Sequence, residues 1–138
     1  MTYAVASALQ AAVYQALQGD AVLTALVGSN VFDELPKGDL PSLFVSLGPE
    51  TAVDASDADG DGAWHRFTVS VVTESAGFQS AKDAAGAISD ALHGANLTLS
   101  RGRLVGLWFQ KAVARRQSGK RRQIDMVFRA RVEDAVAG

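Results

Sequence analysis

Two long alternating runs near the end of the chain constrain its fold more than anything else. Residues 103–116 read RLVGLWFQKAVARR and residues 122–134 read RQIDMVFRARVED. In the second run Ile124, Met126, Phe128, Ala130 and Val132 fall on one face, and Asp125, Val127, Arg129 and Arg131 fall on the other. A period of two with a single apolar face predicts strands of a sheet that is covered on one side only. The linking QSGK is polar and carries Gly119, which suits a hairpin turn. The apolar face of such a hairpin must be covered by something else in the chain.

Two helical segments are available to cover it. From Tyr3 to Gln18 the sequence is Ala-rich, with Val5, Leu9, Val13 and Leu17 four apart, and Gly19 ends the pattern. Asp20 can cap a further short turn, AVLTALVG. The second helix begins after Gly77, places Phe78, Ala81, Ala85, Ile88 and Leu92 at intervals of three or four, and stops at Gly94. Its small residues Ala84, Ala85, Gly86 and Ala87 permit a close approach to a neighbour. Between the helices, VFDELPKGDLP reads as a short extended piece, SLFVSLG (42–48) as a strand closed by Gly48 and Pro49, and HRFTVSVVT (65–73) as a strand. In that last strand Phe67, Val69 and Val71 face one way, and Arg66, Thr68 and Ser70 the other. The expected order is α-β-β-α-β-β. This is an α+β fold, a mostly antiparallel sheet with two helices packed on one face, formed by residues 1–138 as one domain.

Composition closes off several function classes. The chain has no cysteine, so disulfides, thiolate zinc sites and iron–sulfur clusters are excluded. Its opening, MTYAVASALQ, has no basic region of the kind that begins a signal peptide, and no apolar run approaches the roughly 20 residues of a membrane span. A protein made and folded in a cytoplasm, with no membrane partner, is expected. The net charge of -2 conceals an uneven distribution. Residues 1–100 hold 3 basic and 12 acidic side chains; residues 101–138 hold 10 basic and 3 acidic. Opposite signs on two parts of one molecule allow copies to attract each other head to tail, or allow one part to attract nucleic acid.

The acidic stretch DASDADGDG (54–62) contains Asp57, Asp59, Asp61 and Gly62 in the D-x-D-x-D-G order that opens an EF-hand loop. Counted from Asp57, however, the twelfth position, which needs a bidentate carboxylate, is Thr68. An EF-hand also needs a helix on each side, whereas Thr51–Ala55 and Trp64–Thr73 both read as extended. No metal is assigned. Asp54, Asp57, Asp59 and Asp61 are expected to form a solvated, negatively charged loop between two strands.

No catalytic set emerges. His65 lies on a strand, and His93 lies in the last turn of a helix, where a cation would complement the helix dipole. There is no G-x-S-x-G or H-E-x-x-H motif, and Gly119-Lys120 lacks the rest of a phosphate-binding loop. Neither an enzyme nor a cofactor is expected. The stronger signal is the cluster Arg115, Arg116, Lys120, Arg121 and Arg122, five cations within eight residues at the hairpin tip. With Arg129 and Arg131 on the polar face of the last strand, these are the candidates for a docking surface. Nucleic-acid binding through the basic hairpin is the alternative reading. Against it, the tip offers no interleaved aromatics for stacking and no helix for a groove. Trp108 and Phe109 alternate along a strand, so at least one is expected in the core.

The ordered segments of the chain resemble the tail-completion, or tail-terminator, proteins of long-tailed phages. They resemble in particular the version carried by phage-derived gene transfer agents of alphaproteobacteria. The resemblance rests on the Ala-rich opening helix running into ALVGSNVFDELPKGDLPSLFVSLGPE, on HRFTVSVVTESAGFQSAKDAAGAISDAL, on RLVGLWFQKAVARR and on the closing IDMVFRARVED. It covers nearly the whole chain. It implies a structural protein that assembles as a ring, typically of six copies, and caps the finished tail tube. It further implies that the ring ends tube growth, meets the head connector and lets DNA pass through its lumen. No catalytic residues are implied.

Overall fold

The computed structural model describes residues 3–55, 61–74, 78–117 and 121–134. The chain forms α1 (Ala6–Gln18), α2 (Ala21–Val27), β1 (Val31–Phe32), β2 (Leu43–Asp54), β3 (Asp61–Thr73), α3 (Gln79–Leu92), β4 (Arg103–Arg116) and β5 (Arg122–Asp134). The five strands make one sheet in the order β1-β2-β3-β5-β4. Among the described residues only the β1–β2 pair is parallel; the other three pairs are antiparallel. The α+β reading therefore holds, with one more helix and one more strand than the sequence pattern separated.

The alternation in β5 translates directly into burial. Ile124, Met126, Phe128, Ala130 and Val132 are all buried, opposite Val71, Val69, Phe67, His65 and Ala63 of β3. Against this layer lie Leu9, Val13 and Leu17 of α1, Leu23 and Val27 of α2, and Ala81, Ala84, Ile88 and Leu92 of α3. A buried aliphatic or aromatic side chain contributes roughly 1.5–3 kcal/mol, so this one-sided layer holds the fold. Phe67 and Phe128 stack at 5.7 Å between ring centroids inside it.

The helix ends follow their sequence signals. The Asp20 carboxylate accepts the Leu23 backbone N–H at 2.9 Å, which starts α2 with only two residues between it and α1. Gly94, at φ +72°, takes the chain out of α3 in a conformation other residues adopt with difficulty. Of the small residues in α3, Ala81, Ala84 and Ala87 are buried against the sheet. Gly86 is not part of that contact: it is exposed, and a Cβ there would meet nothing.

Two strands depart from the sequence reading. Gly48 and Pro49 do not end β2; a bulge between Leu47 and Glu50 absorbs them, and the strand continues to Asp54. Proline is tolerated there because it sits at a bulge on a sheet edge, where no ladder hydrogen bond is lost. In β4, irregularities between Leu104 and Gly106 and between Phe109 and Lys111 shift the phase of the alternation. As a result Trp108 and Phe109 are 40% and 37% exposed, and neither is enclosed in the core as expected. Every residue of β4 from Trp108 to Arg116 is exposed.

Candidate functional site

Among the described residues the helices cover one face of the sheet and leave the other bare. Across β3, β5 and β4 the bare face presents Arg66, Trp64, Arg129, Arg131, Trp108 and Lys111. Arg129 lies flat over the Trp64 ring at 3.7 Å, and Arg131 approaches the same ring at 5.7 Å. Trp64 and Trp108 pack at 5.8 Å between centroids. A cation over an indole face gains about 0.5–2 kcal/mol, so the four side chains brace one another across three strands. Gly106 makes room for this: a Cβ there would lie 2.3 Å from Cη2 of Trp108. Gly62 does the same for the Arg131 guanidinium, which would lie 2.6 Å from an added Cβ. Arg131 Nη1 is buried without a hydrogen-bond partner among the described residues.

Nearer the hairpin the bare face is polar and well paired. The Asp125 carboxylate accepts hydrogen bonds from Ser70 at 2.7 Å, from Gln123 at 2.6 Å and from Arg115 at 3.2 Å. Burial works against ionisation of this group. The hydrogen bonds from Gln123 and Ser70 and the charge of Arg115 outweigh it and hold the Asp125 carboxyl below its ordinary value. At the far end of the sheet the Arg101 guanidinium makes two bonds to Asp134, at 2.8 and 3.2 Å. These bonds hold the Asp134 carboxyl below its ordinary value as well. Arg103 pairs with Glu133 at 2.8 Å.

The cations singled out in the sequence therefore have different surroundings. Arg115 is tied to Asp125. Arg121 stands 3.8 Å from Glu74, a loose pair between exposed groups. Arg122 lies over the Phe78 ring at 5.5 Å. Arg129 and Arg131 belong to the tryptophan stack and are not at the hairpin tip. Arg116 has no ion pair among the described residues, and Lys120 lies outside them. The signal for the stack was present as Trp64 and Trp108, but their meeting depends on the bulges of β4, which no local pattern announces.

The acidic loop joins two strands, as its flanks predict. Ala55 N–H donates to the Gly62 carbonyl at 2.9 Å and closes the β2–β3 ladder. Asp54 is the exposed last residue of β2, and Asp61 is the first residue of β3, paired in the ladder with Asp134. Asp57 and Asp59 lie outside the described residues.

Neither histidine has the surroundings of a catalytic base. His65 is fully buried, with Nδ1 3.3 Å from Glu50, and its ring stacks on Tyr3 at 6.2 Å. The Tyr3 hydroxyl in turn donates to Glu50, and that hydrogen bond, with the nearby negative charge, raises the Tyr3 pKa. The His93 ring reaches across to the sheet. Its Nδ1 accepts the Phe109 backbone N–H at 3.0 Å, and Gly94 N–H donates to the Leu107 carbonyl at 2.7 Å. The end of α3 is thereby stitched to the edge of β4. Among the cavities, a partly open one beside Leu9, Val13 and Phe67 has about 20 Å³, room for a single water. A larger hollow of about 400 Å³, lined by Glu50, Thr51, Arg66, Gln110, Lys111 and Val127, is open on the bare face.

Comparison with known proteins identifies the family. The profile of the family described as "Tail completion protein gp17" matches residues 11–133. No curated protein matches the sequence. Among solved structures, a chain of the "Virion of native gene transfer agent (GTA) particle" is similar at 63% sequence identity and a TM-score of 0.91. The match covers 96% of this chain and 99% of that one. The chain belongs to the tail completion protein gp17 family.

Proposed function

We propose that this protein is a structural subunit of a tailed, phage-like particle of the gene transfer agent type. In this reading identical copies form a ring, six being the expected number, at the head-proximal end of the tail. The ring caps the tail tube, ends its growth and receives the head connector. The copies are made in a bacterial cytoplasm and carried in the particle. The observation that carries the reading is the 63% identity to a chain of a gene transfer agent virion over 96% of the sequence. Membership of a tail-completion family supports the same role, and a structural part, not catalysis, is the consequence.

The basic hairpin is assigned to docking. Arg115, Arg116, Lys120, Arg121 and Arg122 would meet an acidic surface on the adjoining copy, tube or connector, giving orientation and rate more than raw affinity. Changing Arg121→Glu together with Arg122→Glu tests this. Capping of tails should fall at least tenfold in the double variant; normal capping would remove the hairpin from the interface. The acidic 54–62 loop would line the channel, where negative charge keeps passing DNA from adhering. A ring structure with Asp54 and Asp61 on the outer rim would contradict that placement.

The nucleic-acid reading is weaker on the same geometry. The two tryptophans that could stack bases are packed against each other, and one is covered by Arg129.

A further inference from the structure

We propose that successive copies join by strand pairing, the free edge of β4 in one copy adding to the free edge of β2 in the next, so that the sheet runs on through the ring. This rests on the ring reading and specifies its joint.

Among the described residues, both ends of the sheet carry a stretch of strand with no neighbouring strand on its outer side. At one end is β4, which among the described strands pairs with β5 alone. Its first half is closed off by His93 and Gly94, which bond to Phe109 and Leu107. From Gln110 to Arg116 no other segment among the described residues pairs with it, and every residue is exposed. At the other end β1 pairs with β2 only at Val45 and Ser46. Past Pro49, the stretch Glu50–Asp54 has β3 on one side and no strand on the other among the described residues. Long exposed edges invite pairing with another chain, and natural proteins usually blunt or cover them.

Three further features match the two edges to each other. Charge is the first. β4 carries Arg103, Lys111, Arg115 and Arg116 and no acid, while residues 31–54 carry five acidic side chains and one basic. Unlike charges favour a β4-to-β2 contact and disfavour β4-to-β4 or β2-to-β2, so the joint is head to tail, as a ring requires. Strand sense is the second. The three antiparallel pairs from β2 to β4 leave those two strands running in opposite directions. Copies related by rotation would therefore meet as an antiparallel pair, the commoner kind, and shifted along the strands, because Glu50–Asp54 lies level across the sheet with Leu104–Phe109 and not with Gln110–Arg116. The third is apolar exposure. Val53 and Val113, 62% and 50% exposed, both lie on the bare side of the sheet, opposite Trp64 and Asp125 in the ladder. Cross-strand packing between such residues adds to the backbone bonds.

A charge-exchange experiment tests the joint. One variant carries Lys111→Glu with Arg116→Glu; the other carries Thr51→Lys with Asp54→Lys. All four positions are exposed. Each variant alone, incubated with tail tubes and viewed by electron microscopy, should give at least tenfold fewer rings than the unaltered protein. An equimolar mixture should restore rings in which the variants alternate, since each reversed edge then meets its complement. Rings from either variant alone at the normal yield, or no restoration on mixing, would overturn the pairing while leaving the ring itself intact. Failure of the unaltered protein to form rings would instead overturn the ring reading. Amide exchange on the unaltered protein gives a second measure. Residues 50–54 and 110–116 should exchange at least tenfold more slowly in the ring than in the free subunit; unchanged exchange there contradicts the joint.

Discussion

Single residues set where this fold is least tolerant. Gly102 has φ +74°, and a Cβ added there would lie 2.6 Å from the Glu133 carbonyl and 2.9 Å from Val5. Both the left-handed backbone and the close approach demand glycine, so Gly102→Ala should cost about 1–3 kcal/mol in a urea unfolding experiment. At Asp125 the consequence is pH dependence. Its folded carboxyl titrates below the unfolded value of about 3.9. The stabilisation is thus present above that pH and is lost as pH falls through the lower folded value. The urea midpoint should drop in acid below about pH 4, and Asp125→Asn should flatten that part of the curve. Such networks were only half legible in the sequence. The cations of the hairpin stood out as a cluster, but their partners are brought by register. Asp125 reaches Arg115 and Ser70 across strands, and Arg129 reaches Trp64 only because β3 and β5 pair in the observed alignment.

At the level of elements, legibility followed the regularity of the backbone. β5 and the Ala81, Ile88 and Leu92 stripe of α3 were readable because each buries one face at its period, whereas Ala85, read as part of that stripe, is only half-buried and Ala84 and Ala87 are buried instead. β2 and β4 were not fully readable because bulges reset the period. Gly48-Pro49 has the composition of a strand end, yet the bulge lets β2 run on to Asp54. In α3 the run of small residues suggested one close contact, but only the alanines on the buried face provide it. Gly86 points to open space. Replacing it removes backbone freedom from the unfolded chain at no steric cost, so Gly86→Ala should stabilise by about 0.5–1 kcal/mol and raise the melting temperature by a few degrees. A fall in melting temperature would mean that this face of α3 is confined.

The whole molecule is asymmetric in a way that suits assembly. Among the described residues helices cover one face of the sheet, the other face is bare and cationic, and the two edges differ in charge. A subunit with unlike patches at its two ends makes heterologous contacts, which close into a ring when the rotation permits. The central claim is that this ring terminates a tail. Its most direct measurement is electron microscopy of tail tubes assembled with and without the purified protein. With it, tubes should end in an added ring of density and stop lengthening. Tubes of unchanged length and bare ends, beside a protein that stays at its monomer mass of 14.5 kDa, would contradict the claim.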